Sequence, residues 1–282
     1  MTHRLIKKNY NSTVACENEG VMWIEHNNLK DLPGLRHAYS TRIGGVSSGC
    51  CASMNLRNCE WDSVENYRKN MEIFCHATGF DFNNIVATHQ THTTNVEIVA
   101  KEDVPKGSLF DSQYNDVDGL VTNVPKVPLV ASSADCILVY FYDPIKRAIG
   151  ICHAGWKGTL GKICKVTVEK MVTAYGCDPV NIIAAIGPGI CSDCYEVSQE
   201  LWDEFSKTWD EDIVKEIFVP GIEGHYQLDL WKANYYVLCE MGVKRENISI
   251  TDICTMCNPD IMFSHRVQGV KRGNQCGFIM LS

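Results

Sequence analysis

The sequence predicts a mixed α/β (α+β) fold whose sheets combine parallel and antiparallel strands. Three observations point there. Helical stripes alternate with short apolar runs along the chain. Several of the runs are continuous rather than alternating, the pattern of strands buried on both faces. Asp143-Pro144 lies between two of them, at 137–142 and 147–152, and reads as a hairpin turn, which makes the sheet mixed rather than purely parallel.

In chain order, the first helix signal opens at Asp62, which with Glu65 three residues on resembles a capping box. Tyr67, Met71, Phe74 and Cys75 continue it as one stripe that ends before Gly79. Strand candidates follow at 85–87 and 128–131, on either side of the least patterned stretch, 101–118. The pair at 137–142 and 147–152 comes next. Leu160, Ile163, Cys164, Thr167, Met171, Val172 and Tyr175 form a second helical stripe, closed by Gly176 with Pro179 just beyond. After a strand at 182–186, Leu230, Asn234, Val237, Leu238 and Met241 before Gly242 indicate a third helix, and strands at 248–251 and 277–281 complete the pattern. There is no internal repeat, low-complexity tract or long linker.

With 282 residues, 45% of them hydrophobic and 21% charged, the chain can bury one large core, and one domain over 1–282 is the expectation. No stretch approaches the roughly 18 uncharged apolar residues of a membrane span, and Met1–Tyr10 is basic and polar without the apolar region of a signal peptide. A cytoplasmic protein with no membrane partner is expected. The fifteen cysteines are odd in number and many lie in apolar runs, so they read as reduced thiols rather than a disulfide scaffold. A net charge of −8 argues against a large nucleic-acid-binding face, while leaving room for a local basic pocket that takes a small anion.

Three short segments each offer one soft metal ligand beside a β-branched run: Thr-His-Gln-Thr-His at 88–92, Ser-Ala-Asp-Cys at 133–136 and Cys-His-Ala-Gly-Trp-Lys-Gly at 152–158. Two imidazoles and a thiolate at strand ends make a three-ligand site with an open fourth position, the arrangement of a catalytic rather than a structural zinc. Each ligand also has a plain structural reading. A strand-end His is usually just hydrogen-bonded, and Cys136 before Ile-Leu-Val fits a core. His89 competes with His92; in a strand, residues an odd number apart face opposite sides, so only one of the two is expected to enter the site. Cys191-x-x-Cys194 and Cys254-x-x-Cys257 would form a closed four-cysteine zinc site if they met in space, but in a chain so rich in cysteine such pairs are expected by chance. A P-loop fails: Gly155 to Gly161-Lys162 has the wrong spacing, and Ile163 stands where the Mg²⁺-binding hydroxyl belongs.

Taken in order, Ser40-Thr41-Arg42-Ile43-Gly44-Gly45-Val46-Ser47, Ser53-Met54-Asn55-Leu56, Gln90-Thr91-His92, Asp118-Gly119-Leu120-Val121, Ser133-Ala134-Asp135-Cys136, His153-Ala154-Gly155-Trp156-Lys157-Gly158, Ile186-Gly187-Pro188-Gly189-Ile190, Cys194-Tyr195-Glu196-Val197 and Phe263-Ser264-His265-Arg266 resemble the laccase-domain family. Its members were first described as polyphenol oxidases and are now read as zinc-dependent purine nucleoside phosphorylases. The resemblance covers nearly the whole chain and implies one α-β-β-α layered sandwich with mixed sheets. Thr93 stands where the family has Gly after the metal His, and Lys157 where Arg is commoner. Neither change removes a ligand, although Lys cannot give the planar bidentate grip of Arg.

The resemblance assigns the metal to His92, Cys136 and His153, a donor set that suits zinc, with copper a possible substitute because N/S sites bind Cu²⁺ more tightly. It implies purine nucleoside and inorganic phosphate as substrates. Phosphorolysis needs a phosphate held near the anomeric carbon and stabilisation of the departing base. Arg42, in a Gly-Gly turn that lets backbone N–H groups approach an anion, is the leading phosphate contact; Arg266 and Lys157 stand second, and Asn55 is placed to bond sugar or base. Arg42 as a solvated loop arginine and Asn55 as a turn former are the bland alternatives. Adenosine deamination at the same site would draw on zinc lowering the pKa of bound water toward about 7 and on a proton shuttle, for which Asp135 is the nearest carboxylate, unless it only orients a ligand. Three rivals remain: a copper-dependent polyphenol oxidase, a hydrolase that edits cell-wall precursors, and a non-enzymatic metal-stabilised binding protein. Nine histidines with no His-x-His pair speak against a multi-copper centre.

Overall fold

In the computed structural model, residues 5–8, 11–104 and 114–282 are described. Part of the N-terminal segment and residues 105–113 of the unpatterned stretch lie outside them. The chain begins with a meander of β1 (Thr13–Asn18), β2 (Val21–His26) and, after a single turn α1 (Asn27–Lys30), β3 (Leu35–Ser40). Helix α2 (Val64–Thr78) precedes β4 (Val86–Ala87), β5 (Val96–Ile98), β6 (Gly119–Thr122), β7 (Leu129–Ser133), β8 (Ile137–Asp143) and β9 (Ala148–Ala154). Helices α3 (Trp156–Leu160) and α4 (Ile163–Tyr175) lead to β10 (Ile183–Ile186). Then come β11 (Glu196–Ser198), α5 (Gln199–Ser206), α6 (Glu211–Ile217), β12 (Phe218–Pro220), β13 (His225–Leu228), α7 (Leu230–Glu240), β14 (Ile248–Ile250), α8 (His265–Gln268) and β15 (Gln275–Leu281).

The strands form two six-stranded sheets, ordered β1-β2-β3-β15-β7-β4 and β14-β10-β8-β9-β6-β5, with β11-β13-β12 as a small annex. Both large sheets are mixed. β4–β7, β5–β6 and β10–β14 are parallel and the other pairs antiparallel. The hairpin at Asp143 is present, its Oδ1 accepting from the N–H groups of Ile145 and Lys146.

Period 2 in the strands builds the layers. Along β8, Leu138, Tyr140 and Tyr142 face the first sheet and meet Ile24, Tyr39, Leu129 and Ile279, so the two sheets pack face to face. Ile137, Val139 and Phe141 point the other way, against Ile163, Cys164, Val168 and Met171 of α4 and Val237 and Leu238 of α7. The outer face of the first sheet, with Ala38, Val130 and Phe278, takes Tyr67, Met71 and Phe74 of α2. The result is the expected α-β-β-α sandwich.

Two local expectations need correction. The N-cap of α2 is Ser63, whose hydroxyl accepts from Asn66 N–H, rather than Asp62. Asp62 is drawn away by Ser47, Asn55 and Asn66. Leu160 does not open α4; it ends α3, and Lys162, at φ 57°, breaks the path between the two helices. The Gly79 and Gly176 helix stops are left-handed, as their positions anticipate.

Candidate metal centre and its cleft

The structure brings His92, Cys136 and His153 together, with one ligand atom from each lying within 4.8 Å of the others. They come from crossings and ends of the sandwich. His92 lies on the link that leaves β4 in one sheet for β5 in the other, Cys136 on the β7-to-β8 link that makes the same crossing, and His153 near the end of β9. His92 at φ 66° and Asp135 at φ 84° both adopt the left-handed backbone that such sharp crossings demand. The segment around His92 is therefore a loop rather than a strand. His89 still turns elsewhere, its backbone paired to Val117 and its side chain beside a separate pocket with Gln90 and Ser132.

Gly155 records how closely the three ligands converge. A Cβ there would stand 2.9 Å from Cys136 Sγ, 3.2 Å from His92 Cδ2 and 3.6 Å from His153 Cε1. The two imidazoles meet edge to face at 4.9 Å between centroids. Two imidazoles and a thiolate in one cradle are a donor set that zinc or copper accepts.

One buried carboxylate organises two of the three ligands. Asp118 Oδ1 lies 2.8 Å from His153 Nδ1 and accepts from His92 N–H at 3.1 Å. Its Oδ2 accepts from the N–H groups of Thr91 and Thr93 and from the Thr93 hydroxyl. With Asp118 accepting from Nδ1–H, His153 is left with Nε2 as the lone pair that faces the cradle. Burial alone would raise the Asp118 pKa, but the His153 ring and the Thr91 and Thr93 N–H groups bring it down to about 2. In the sequence Asp118-Gly119 stands out only as part of a motif. The usable signal was the one that marked the ligands, a polar residue at the start of a β-branched run.

Electrostatics couple the ligands. Burial pushes the Cys136 thiol up, but the His153 and His92 rings outweigh it and bring the pKa down to about 6. Burial pushes His153 down, yet Cys136 and the Asp118 carboxylate lift it to about 9. Both shifts favour a thiolate beside an imidazolium in the metal-free cradle, and a cation bound there would take the place of the proton on His153 Nε2.

The ligands open into a cleft of about 390 Å³ walled by Trp156, Ile190, Tyr195 and Leu230, with His265, Arg266 and Arg272 supplying its basic side. Arg266 shares its guanidinium with the Glu196 carbonyl and lies over the Tyr195 ring. Arg272 is the more available group: its buried Nε has no hydrogen-bond partner among the described residues. Nothing in the sequence reading pointed to it.

Other expected site residues are placed differently. Arg42 donates from Nε to the Ala52 carbonyl and from Nη1 to the Pro259 carbonyl, and it stacks on Phe263, so it ties loops together and does not line this cleft. Asn55 is fully buried and spends its amide on Arg57, Asp62 and Asn274, which leaves nothing for a sugar or base. Asp135 does border the cleft, but its carboxylate accepts from the Thr255 and Ser264 hydroxyls and from Arg266 N–H, a brace beneath Cys136 rather than a free base. Lys157 is exposed on α3 with its ammonium over Trp156. The two Cys-x-x-Cys pairs, read as chance neighbours, do meet in space.

A mixed α-β-β-α sandwich with a three-ligand N,N,S group at the floor of an aromatic and basic cleft defines an α/β protein with a candidate metal centre. Residues 36–282 match the family described as multi-copper polyphenol oxidoreductase laccase, and the chain belongs to that family. Purine nucleoside phosphorylase YlmD of Bacillus subtilis (strain 168) is 32% identical over 86% of both chains. The purine nucleoside phosphorylase of Bacteroides thetaiotaomicron is 31% identical over 91% of this chain and 95% of its own. LACC1 of Mus musculus, also named a purine nucleoside phosphorylase, is 30% identical and matches 96% of this chain but 65% of its own length. Among solved structures, hypothetical protein YfiH of Bacillus licheniformis superposes with a TM-score of 0.89 at 29% identity, covering 97% of this chain and all of that one. Relatives so named support an enzyme of that kind. No helix among the described residues is long and apolar enough to cross a membrane.

Proposed function

We propose that the chain is a zinc-dependent purine nucleoside phosphorylase that converts adenosine or inosine, and phosphate, to free base and pentose 1-phosphate, with slower adenosine deamination at the same site. The observation that carries this reading is that Arg272, whose buried Nε has no hydrogen-bond partner among the described residues, lines the same cleft as the His92 and Cys136 ligands and an aromatic wall. A flat base suits Trp156 and Tyr195, and phosphate suits a planar fork of donors. A bound zinc would supply Lewis acidity to the reacting centre. His153, held by Asp118, and His92, held by the same carboxylate through its N–H, fix the cradle. Asp135 holds Cys136 beneath the cleft and, through Arg266 N–H, the start of α8 beside it. Arg272, with Arg266, positions phosphate for attack at the sugar, and Ile190 and Leu230 exclude water around the base.

The test is incubation of metal-defined protein with a nucleoside panel, with and without phosphate, followed by separation of bases from nucleosides. Base release that depends on phosphate is expected, together with slower inosine formation from adenosine that does not. Base release that continues unchanged without phosphate would make the enzyme a hydrolase. Replacing His92, Cys136 or His153 with Ala is expected to abolish turnover while leaving the fold intact.

A further inference from the structure

Besides the three-ligand cradle, four thiols converge at a second place. Cys191 caps a short 3₁₀ turn that ends at Cys194, and Cys254 and Cys257 stand at the two ends of a second turn. A parallel bridge between Gly189 and Cys254 sets the turns side by side, and Thr255 N–H donates to the Gly189 carbonyl. All four Sγ atoms lie within 4.8 Å of one another, with Cys194 and Cys257 3.6 Å apart. Four thiolates around zinc at about 2.3 Å stand about 3.8 Å from each other in a tetrahedron, whereas a disulfide needs about 2.05 Å. The observed spacing is too long for a disulfide at Cys194 and Cys257 and is compatible with four sulfurs around one metal ion.

Chance packing of a cysteine-rich chain looks different here. Cys152 meets Cys164 at 3.9 Å and Cys51 meets Cys59 at 3.9 Å, and neither contact gathers four thiols. Among the described residues, only Cys191, Cys194, Cys254 and Cys257 supply four sulfur ligands to one centre. The surroundings suit a thiolate cluster of net negative charge. Cys191 N–H donates to Cys254 Sγ at 3.3 Å, and Lys8 reaches this corner to bond Asp193, inside the first turn. Two knuckles of this spacing, closed by four sulfurs, have no open position, so the site is structural rather than catalytic.

We infer that Cys191, Cys194, Cys254 and Cys257 bind a second, structural zinc that clamps the back wall of the cleft. The clamp acts on the cleft through its neighbours in sequence. Ile190 and Tyr195, on either side of the first turn, line the cleft, and Thr255, in the second, bonds Asp135 next to Cys136.

The test begins with metal analysis of the intact wild-type protein purified under reducing conditions. Two zinc ions per chain are expected. The His92→Ala/Cys136→Ala variant should keep one, and X-ray absorption of that zinc should show four sulfur neighbours at about 2.3 Å. The Cys191→Ser/Cys254→Ser variant should also keep one, now with mixed nitrogen and sulfur neighbours, and should unfold at a lower temperature. One zinc in the wild type that disappears entirely with His92 and Cys136 would overturn the inference. So would iron in place of zinc in the His92→Ala/Cys136→Ala variant, or thiol-blocked peptide mapping that finds Cys191–Cys254 or Cys194–Cys257 disulfides in the wild type. The wild-type stoichiometry together with the zinc left in the His92→Ala/Cys136→Ala variant decides the matter even if the double cysteine variant fails to fold, and neither result depends on which nucleoside the cleft accepts.

Discussion

Asp118→Asn is nearly isosteric and removes the one charge that ties the His92 loop to His153. Oδ1 receives His153 Nδ1 and His92 N–H, and Oδ2 receives two N–H groups and a hydroxyl. An amide nitrogen in either position faces at least two N–H donors, so no flip of the side chain restores the network. Each lost bond to a charged acceptor costs about 1.5–3 kcal/mol, which puts the loss in folding stability at about 3–6 kcal/mol if the loop does not relax. Metal affinity should fall separately. Loss of a carboxylate behind a ligating imidazole typically costs 10–100-fold, or about 1.4–2.7 kcal/mol.

The assay is competition for zinc against a chromophoric chelator on wild type and variant, alongside thermal unfolding with and without metal. A dissociation constant 10–100-fold weaker is expected, with occupancy recovered at saturating zinc. An Asp118→Asn protein that folds and binds zinc within twofold of the wild type would refute the idea that this carboxylate orients His153. The low pKa of Asp118, about 2, further predicts that the brace stays ionised, and therefore in place, well below neutral pH.

Three further outcomes follow from particular contacts. Gly155→Ala puts a methyl 2.9 Å from Cys136 Sγ and should weaken zinc binding while costing about 1–3 kcal/mol of stability; unchanged zinc affinity would mean that the ligands do not close over Gly155. Arg272→Ala should lose about 2.7–4 kcal/mol of transition-state stabilisation in phosphorolysis, seen as a roughly 10²–10³-fold fall in kcat/KM with full zinc content, whereas Arg42→Ala should lower the unfolding temperature and spare phosphate dependence; the reverse pattern would return phosphate binding to Arg42. His26 and His37 are held neutral inside the sandwich, with pKa near 3, by burial, so the unfolded chain takes up their protons first and stability present above pH about 6.5 is lost as pH falls toward 3, by up to about 1.4 kcal/mol per unit for each ring. His26→Phe, at a ring whose nitrogens have no hydrogen-bond partner among the described residues, should halve that slope in denaturant unfolding measured across pH, and an unchanged slope would assign the acid sensitivity to other groups.

What the sequence made legible divides by the range of the interaction. Ile137–Tyr142 and Ala148–Ile151 could be read as doubly buried strands because period and composition are local, and position singled out the candidate ligands at their ends, while the family resemblance chose the metal reading over the core one. The N-terminal meander was not read, since Cys16, Glu17 and Asn18 blur the apolar alternation of β1 and its pairing with β2 is what holds it. The site residues that moved did so for a different reason: distant groups claimed their donors first. Arg42 has the chemistry to hold phosphate, yet a carbonyl 217 residues away uses one arm of its guanidinium. Asp62 is a sound N-cap by type, but Ser47 and Asn55 outcompete the helix for its carboxylate. Arg272 carried no local signal at all, and it matters because its Nε has no hydrogen-bond partner among the described residues. The two Cys-x-x-Cys turns show the converse. Each is legible as a half-site, 63 residues from the other, and only the β10–β14 pairing beneath Gly189 and Cys254 turns two ordinary turns into one four-sulfur centre. A side chain's chemistry is written locally, and whether that chemistry is free for a ligand depends on which remote partner reaches it first.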